Sequence, residues 1–236
     1  RDRSLQYLKK TATCDEPFFL FISFPDPHHP FNPPGKYWSL YAPEDFVLPL
    51  PYEAHENPTP PMQFLTQRLR DGLDGETKQS AIRLANQHIR EAMALTAGMI
   101  SLIDDQVGRV MQTLRDTGKH ENTVVIFSAD HGDYLGDFGL MLKGPMPFRS
   151  VTRVPMIWSD PRDRTSRKSD ILASTIDLPA TILDRTGVTP YNGIQGASFL
   201  GCVFGARQHR DELLIEYNDG LARIGFSRPA RVRSLL

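Results

Sequence analysis

Cysteine is scarce in this sequence, which has only two among 236 residues, Cys14 and Cys202. A disulfide framework or a zinc knuckle needs more cysteines at closer spacing, so both classes of protein are excluded. Acidic and basic side chains almost cancel, 28 against 27, for a net charge of -1. A chain so balanced has no overall field that would attract nucleic acid or an anionic membrane. Any function therefore lies in a local site.

Long apolar runs are missing too, and none is long enough to cross a bilayer or to act as a signal peptide. We therefore expect neither a membrane nor a nucleic acid as a partner. Hydrophobic residues make up 40% of the chain and charged residues 23%, which is the balance of an ordinary globular protein. A length of 236 residues suits one large α/β domain or, less well, two small ones.

Proline is abundant in one region, because 12 of the 19 prolines lie between Pro17 and Pro61. Since proline breaks helices and central strands, this region is predicted to be a long ordered loop. Its first residues, 17–24, form an unbroken apolar run that predicts a strand buried on both faces, as in a parallel sheet. The loop would then leave the carboxyl end of that strand.

Helix and strand patterns alternate along the rest of the chain. Apolar residues at helical spacing run from Leu95 to Leu114, and Gly118 supplies the stop. The other predicted elements are strands at 123–128, 154–158 and 213–215 and a helix at 174–185 closed by Gly187. This alternation indicates one α/β domain with a mostly parallel sheet and helices on both faces.

Polar residues follow two of the predicted strands, at the place where open parallel sheets bind ligands. Asp130 and His131 follow the second strand. A carboxylate and an imidazole there suit a shared metal ion, and equally suit a capping aspartate beside a solvated histidine. His28 and His29 follow the first strand in the proline-rich loop, where histidines often only pack and form hydrogen bonds.

Lys143 is a further candidate. Gly139 and Gly144 have the separation found in a phosphate-binding P-loop, but Pro145 stands where that loop needs its lysine, so a P-loop is excluded. Lys143 itself indicates a point charge for an anionic group, with an ordinary solvated side chain as the alternative.

Together these segments resemble the sulfatase family of the alkaline phosphatase superfamily. The family's motifs occur here in the family's order, from about Pro17 to Leu200. The first three are His-x-Pro at His28 to Pro30, a helix at 99–110 and Asp-His-Gly at Asp130 to Gly132. The next three are Lys-Gly at Lys143 and Gly144, Arg-Val-Pro at Arg153 to Pro155, and a helix over 174–181. Each motif is moderately specific, whereas their joint order is hard to obtain by chance.

The resemblance implies a role for each candidate residue. Asp130 and His131 match two metal ligands of the family. His28 matches the histidine that contacts the sulfate ester, with His29 as a weaker candidate, and Lys143 matches the lysine that binds a sulfate oxygen. The implied activity is hydrolysis of sulfate monoesters, on a small-molecule or carbohydrate substrate. The implied metal is most often calcium, with manganese, magnesium and zinc as alternatives.

The sequence departs from the family at the nucleophile. Sulfatases use a formylglycine made from Cys or Ser in a Cys/Ser-x-Pro/Ala-x-Arg signature, and neither Cys14 nor Cys202 stands in one. The family's early aspartate pair is also missing, although calcium takes about six or more oxygen ligands. We therefore expect residues 1–236 to be a partial catalytic domain that is inactive by itself. Residues 17–200 carry the motifs, and 201–236 are an extension or the start of a smaller subdomain.

Two other functions remain open at this point. Phosphonate monoester and phosphodiester hydrolases of the superfamily use nearly the same pattern, and a chain without a nucleophile also suits a non-catalytic binding module. The first residue is Arg1 rather than Met, so the formylglycine and any signal peptide are expected in a preceding segment. The compartment, whether cytoplasmic, periplasmic or secreted, and the oligomeric state are left open by the sequence.

Overall fold

The computed structural model describes residues 2–73, 81–206, 208–218 and 228–236, so parts of the segment 201–236 lie outside it. The helices are α1 (Asp2–Thr11), α2 (Pro60–Arg70), α3 (Asn86–Asp116), α4 (Arg149–Thr152), α5 (Asp177–Thr186) and α6 (Leu200–Val203). The strands are β1 (Ala81–Arg83), β2 (Val125–Ser128), β3 (Leu140–Leu142), β4 (Met156–Ser159), β5 (Leu214–Asn218) and β6 (Arg231–Leu235).

The described residues group into two compact units that alternate along the sequence. The first unit consists of 2–73, 81–123, 133–144 and Arg228, and the second of 124–132, 145–206, 208–218 and 229–236. The single domain predicted from the sequence stays a prediction, and the two units are described separately below.

The first unit is built around α3, which has 31 residues. The apolar stripe predicted this helix, and its residues Met99 and Leu114 are 1% and 3% exposed. The helix ends at Asp116, and the predicted stop, Gly118, follows two residues later with a φ of +68°. There the N–H of Lys119 donates to the carbonyl oxygen of Leu114, which satisfies the last turn. Neither α3 nor any other helix in the described ranges is apolar over a length sufficient to span a membrane.

The proline-rich region forms an ordered loop, as predicted. Residues 25–59 contain no α-helix, and their regular structure consists of 3-10 turns at Gly35–Ser39, Pro43–Asp45 and Tyr52–Ala54. The first of these turns packs on α3 at Gly98, where an added Cβ would lie 2.2 Å from the carbonyl oxygen of Tyr37. Only glycine allows the loop and the helix to approach so closely.

The prediction of a strand at 17–24 buried on both faces is wrong. Among the described residues this segment pairs with no strand, and Phe19 and Phe21 are 73% and 79% exposed. Phe18, Leu20 and Ile22 are half-buried. The apolar run predicted burial on both faces because such runs are typical of central strands, whereas the described residues cover only one face.

The sheet differs from the prediction as well. Strands were predicted correctly at β2, β4 and β5, and so was helix α5, which is capped by Gly187 with a φ of +71°. All pairs among the described strands are antiparallel, however: β1 with β3, β2 with β4, and β5 with β6. A parallel pair needs a long crossover, usually a helix. The chain between β2 and β4 has instead a turn, a short strand and the four-residue α4. The class is thus α/β, and the described part holds no parallel sheet.

Two buried carboxylates organise the second unit. Asp177 at the start of α5 is 0% exposed and accepts the N–H groups of Ser174 and Ala197 at 2.8 and 2.9 Å, together with a hydrogen bond from Arg210. Asp160 is 1% exposed and accepts two hydrogen bonds from Arg185. Burial opposes ionisation of Asp160, but the hydrogen bonds led by Arg185 outweigh it and hold the pKa below its usual value. Each buried charge is therefore paired.

Candidate active site

His28 and Lys143 lie 115 residues apart in sequence and meet in the first unit, where Lys143 Nζ is 2.5 Å from His28 Nε2. An ammonium group can only donate, so Nε2 accepts the hydrogen bond. His28 Nδ1 is 2.6 Å from the carbonyl oxygen of His29, and we assign the ring proton to Nδ1 because a carbonyl only accepts. When the His28 ring is neutral, its tautomer is therefore defined, with the proton on Nδ1 and the lone pair of Nε2 facing the Lys143 ammonium group.

His29 stacks on His28 with the ring centroids 4.0 Å apart and an angle of 27° between the planes. Partial burial disfavours the charged ring and lowers the pKa of His29 below its ordinary value, and repulsion from His28 and Lys143 lowers it further. His29 is therefore neutral at pH 7. We call the side chains of His28, His29 and Lys143 the basic cluster.

An NMR titration is expected to place the pKa of His29 below that of free histidine. Lys143→Ala should raise it, because one repulsive charge is removed, and His28→Ala should raise it more, because His28 is the larger of the two repulsive neighbours. The ring proton shifts of His29 against pH measure both effects. Lys119→Ala is the matched control, since the Lys119 ammonium contacts the carbonyl oxygen of Cys14. A His29 pKa unaffected by Lys143→Ala would contradict the arrangement.

Asp130 and His131 lie in the second unit, in the turn that follows β2. His131 Nδ1 is 2.7 Å from the carbonyl oxygen of Gly132, so we assign a proton to Nδ1, and in the neutral ring Nε2 then has the lone pair. Asp130 Oδ1 accepts the backbone N–H of His131 at 2.8 Å, and Oδ2 lies 3.5 Å from His131 Nε2. The turn thus presents a carboxylate oxygen and an imidazole nitrogen side by side at the surface.

Gly132 holds this turn against α4. An added Cβ would lie 1.9 Å from the carbonyl oxygen of Ser150, and the Gly132 N–H donates to the carbonyl oxygen of Val151 at 2.8 Å. No side chain fits there, so glycine is required for the close approach. The sequence showed the glycine, but nothing in it marked the start of α4 as the surface against which the turn packs.

Asp130 and His131 have the chemistry of two metal ligands. A carboxylate and a neutral imidazole both bind divalent cations, and the carbonyl that holds His131 Nδ1–H orients the ring in the way typical of metal sites. Within the described ranges, no three or more His, Cys, Asp or Glu residues come together as a metal site. Protein-bound zinc takes about four ligands and calcium about six or more. The pair therefore fits a cation as part of its ligand set.

Comparison with known proteins supports the family resemblance drawn from the motifs. The family model described as Sulfatase matches residues 1–188. The multifunctional alkaline phosphatase superfamily protein PehA of Trinickia caryophylli is 32% identical over 209 residues, which are 84% of this chain and 39% of that protein. An arylsulfatase of Clostridium perfringens is 29% identical over 202 residues, with the same two coverages.

The fold also resembles that of a known protein. The solved structure of the phosphonate monoester hydrolase SpPMH from Silicibacter pomeroyi matches with a TM-score of 0.77 and 22% identity, over 93% of this chain and 44% of that chain. This likeness shows a shared fold. The chain spans about 39% of the length of the two curated relatives named above. Because the family model matches most of its residues, the chain belongs to the sulfatase family.

Proposed function

We propose that this chain is part of a sulfate monoester hydrolase in which the basic cluster binds the sulfate group. The observation that carries the proposal is the 2.5 Å contact between Lys143 Nζ and His28 Nε2. This contact places an ammonium group beside a ring nitrogen that accepts protons, from two distant parts of the chain. A tetrahedral anion presents several oxygens at once, so it can accept one hydrogen bond from the ammonium group and, once Nε2 is protonated, another from the ring.

The side chains of the cluster have distinct tasks in this proposal. Negative charge grows on the sulfate oxygens and on the leaving oxygen as the ester is cleaved, and a fixed cation stabilises that charge. Lys143 holds a sulfate oxygen through its N–H groups. Once the sulfate group has displaced the contact with Lys143, His28 takes up a proton at Nε2 from solvent and donates it to the leaving oxygen as the ester bond breaks. Its Nδ1–H stays on the carbonyl oxygen of His29 and keeps the ring oriented.

Asp130 and His131 would hold a divalent cation, with calcium as the first choice and manganese, magnesium or zinc as alternatives. When bound, such a cation would supply positive charge that stabilises anionic oxygens. Its remaining ligands and a formylglycine nucleophile would come from outside residues 1–236, and a mostly parallel sheet would need strands from there. The chain alone is therefore expected to bind anions without turning over esters.

The substrate in this proposal is a sulfated small molecule or carbohydrate. Hydrolysis of phosphonate monoesters is the second candidate, supported by the fold shared with SpPMH. Sulfate monoesters and phosphonate monoesters are both tetrahedral monoanions, so the basic cluster would hold either with the same contacts. Rates on an aryl sulfate and on a phenyl phosphonate, measured on one full-length preparation, separate the two. A non-catalytic module would bind sulfate and hydrolyse neither.

Inorganic sulfate is expected to bind the chain and to shift the NMR ring signals of His28 and His29. His28→Ala and Lys143→Ala should each weaken the affinity about tenfold or more, because a hydrogen bond to a charged group contributes about 1.5–3 kcal/mol. Titration with sodium sulfate at constant ionic strength measures this. Lys119→Ala should bind like the unmodified chain. Equal affinity in all three variants would overturn the assignment of the cluster.

A further inference from the structure

Asp133 begins a loop of the first unit that ends beside Lys143. The loop, residues 133–142, folds back on itself: the N–H of Tyr134 donates to the carbonyl oxygen of Leu142 and the N–H of Gly136 to that of Leu140, both at 2.8 Å. Lys143 is the next residue along the chain. The way this loop closes therefore determines where the Lys143 side chain begins.

Leu142 has an unusual backbone at the point where the loop closes. Its φ is +67°, in the left-handed region that residues with a Cβ rarely adopt. Its side chain is 9% exposed and belongs to an apolar cluster with Ile89, Ala92 and Met141. Because the side chain is buried, Leu142 cannot relax by turning outward. Such a conformation persists only where surrounding contacts hold it.

The carboxylate of Asp133 makes contacts of this kind. Its Oδ1 accepts the backbone N–H of Leu135 and that of Leu142, each at 2.9 Å. The first bond closes a local turn, and the second joins the start of the loop to its end. Hydrogen bonds to a charged acceptor are about twice as strong as neutral ones. Leu142 is thus held on its N–H by Asp133 and on its carbonyl oxygen by Tyr134.

We propose that Asp133 is a positioning residue for Lys143. By holding the Leu142 N–H, it fixes the left-handed turn from which the Lys143 side chain reaches His28 Nε2. The functional meaning of this arrangement rests on the proposed role of the basic cluster in binding sulfate. The geometric part does not depend on that role, because the contact between Lys143 and His28 is present without an anion.

Three substitutions in the chain test the proposal. Asp133→Ala removes the acceptor and should move the ¹⁵N signal of His28 Nε2 to the value seen in Lys143→Ala, with sulfate affinity weakened about tenfold. Asp133→Asn keeps an oxygen in the same place and should retain the signal and the affinity within about twofold. Asp133→Glu keeps the charge but displaces the oxygen by one methylene, so it should behave like Asp133→Ala.

Asp137→Ala, which removes another carboxylate of the same loop, is the matched control and should leave the His28 signal unchanged. A folded Asp133→Ala variant with an unmodified His28 signal overturns the proposal. If Asp133→Ala does not fold, the Asn and Glu variants decide: loss of the His28 signal in Asp133→Asn with retention in Asp133→Glu overturns the proposal, because charge rather than acceptor position would then matter, and loss in both overturns it because an acceptor in the same place would not suffice. Absence of sulfate binding by the unmodified chain contradicts only the proposed function, since the His28 signal reports the lysine contact without ligand.

Discussion

Replacing Asp177 with alanine is expected to lower the free energy of unfolding by about 3–5 kcal/mol, the cost of removing one partner of a buried ion pair. Asp177 is 0% exposed and accepts hydrogen bonds from Arg210 and from the backbone N–H groups of Ser174 and Ala197. Alanine leaves the guanidinium and both N–H groups without this acceptor. The substitution therefore removes the group that joins the start of α5 to two later parts of the second unit.

Urea unfolding followed by circular dichroism measures this loss. Asp184→Ala is the control on the same helix, because Asp184 is exposed and accepts a hydrogen bond from the half-buried Ser198 hydroxyl. Its expected cost is about 0.5 kcal/mol, as for a surface change. Asp177→Asn should fall between the two, since it keeps an oxygen for the N–H groups but loses the charge facing Arg210. Equal stability of the Asp177→Ala and Asp184→Ala variants would refute the role of Asp177.

Lys143→Ala in a full-length protein is expected to lower the turnover of an aryl sulfate by about 100–1000-fold, the effect of removing one donor that faces developing negative charge. His28→Ala should cost a similar factor, because the leaving oxygen then loses its proton donor. Both losses should appear mainly in kcat, since the contacts strengthen as charge builds up in the transition state.

Steady-state kinetics with a chromogenic aryl sulfate give kcat and KM for each variant. Lys119→Ala keeps the cluster intact and should retain the kcat of the parent enzyme. Near-parental kcat in both Lys143→Ala and His28→Ala would eliminate the cluster as the sulfate site. A rise in KM alone would indicate that the cluster binds the anion without stabilising the transition state.

Elements with a strong local pattern were predictable from the sequence. The apolar stripe of α3 and its glycine stop need only neighbouring residues, and both are found as expected. The positions of β2 and β4 follow from β-branched and apolar runs in the same way. Their antiparallel pairing was not predictable, because it depends on how the chain between them folds. The strand β6 was missed as well, since Arg231 and Arg233 alternate with smaller residues and show no apolar run.

The site residues were identified from short motifs, and the structure adds the contacts between them. Motif order named His28 and Lys143, but only the fold brings Nζ to Nε2 and defines the tautomer of His28. Asp133 had no signal of its own, because one of its partners is a backbone N–H nine positions away. Side chains that act through backbone groups leave no pattern of residue types, so sequence reasoning does not find them.

The separation of 115 residues between His28 and Lys143 makes the basic cluster a reporter of folding. The cluster exists only while the first unit is folded, so the proposed sulfate site would favour the folded chain over the unfolded one. By mass action, sulfate at 100 times its dissociation constant would raise the free energy of unfolding by about 2.7 kcal/mol. The melting temperature of the chain would therefore depend on the salt in its buffer, and it would be higher in sulfate than in chloride.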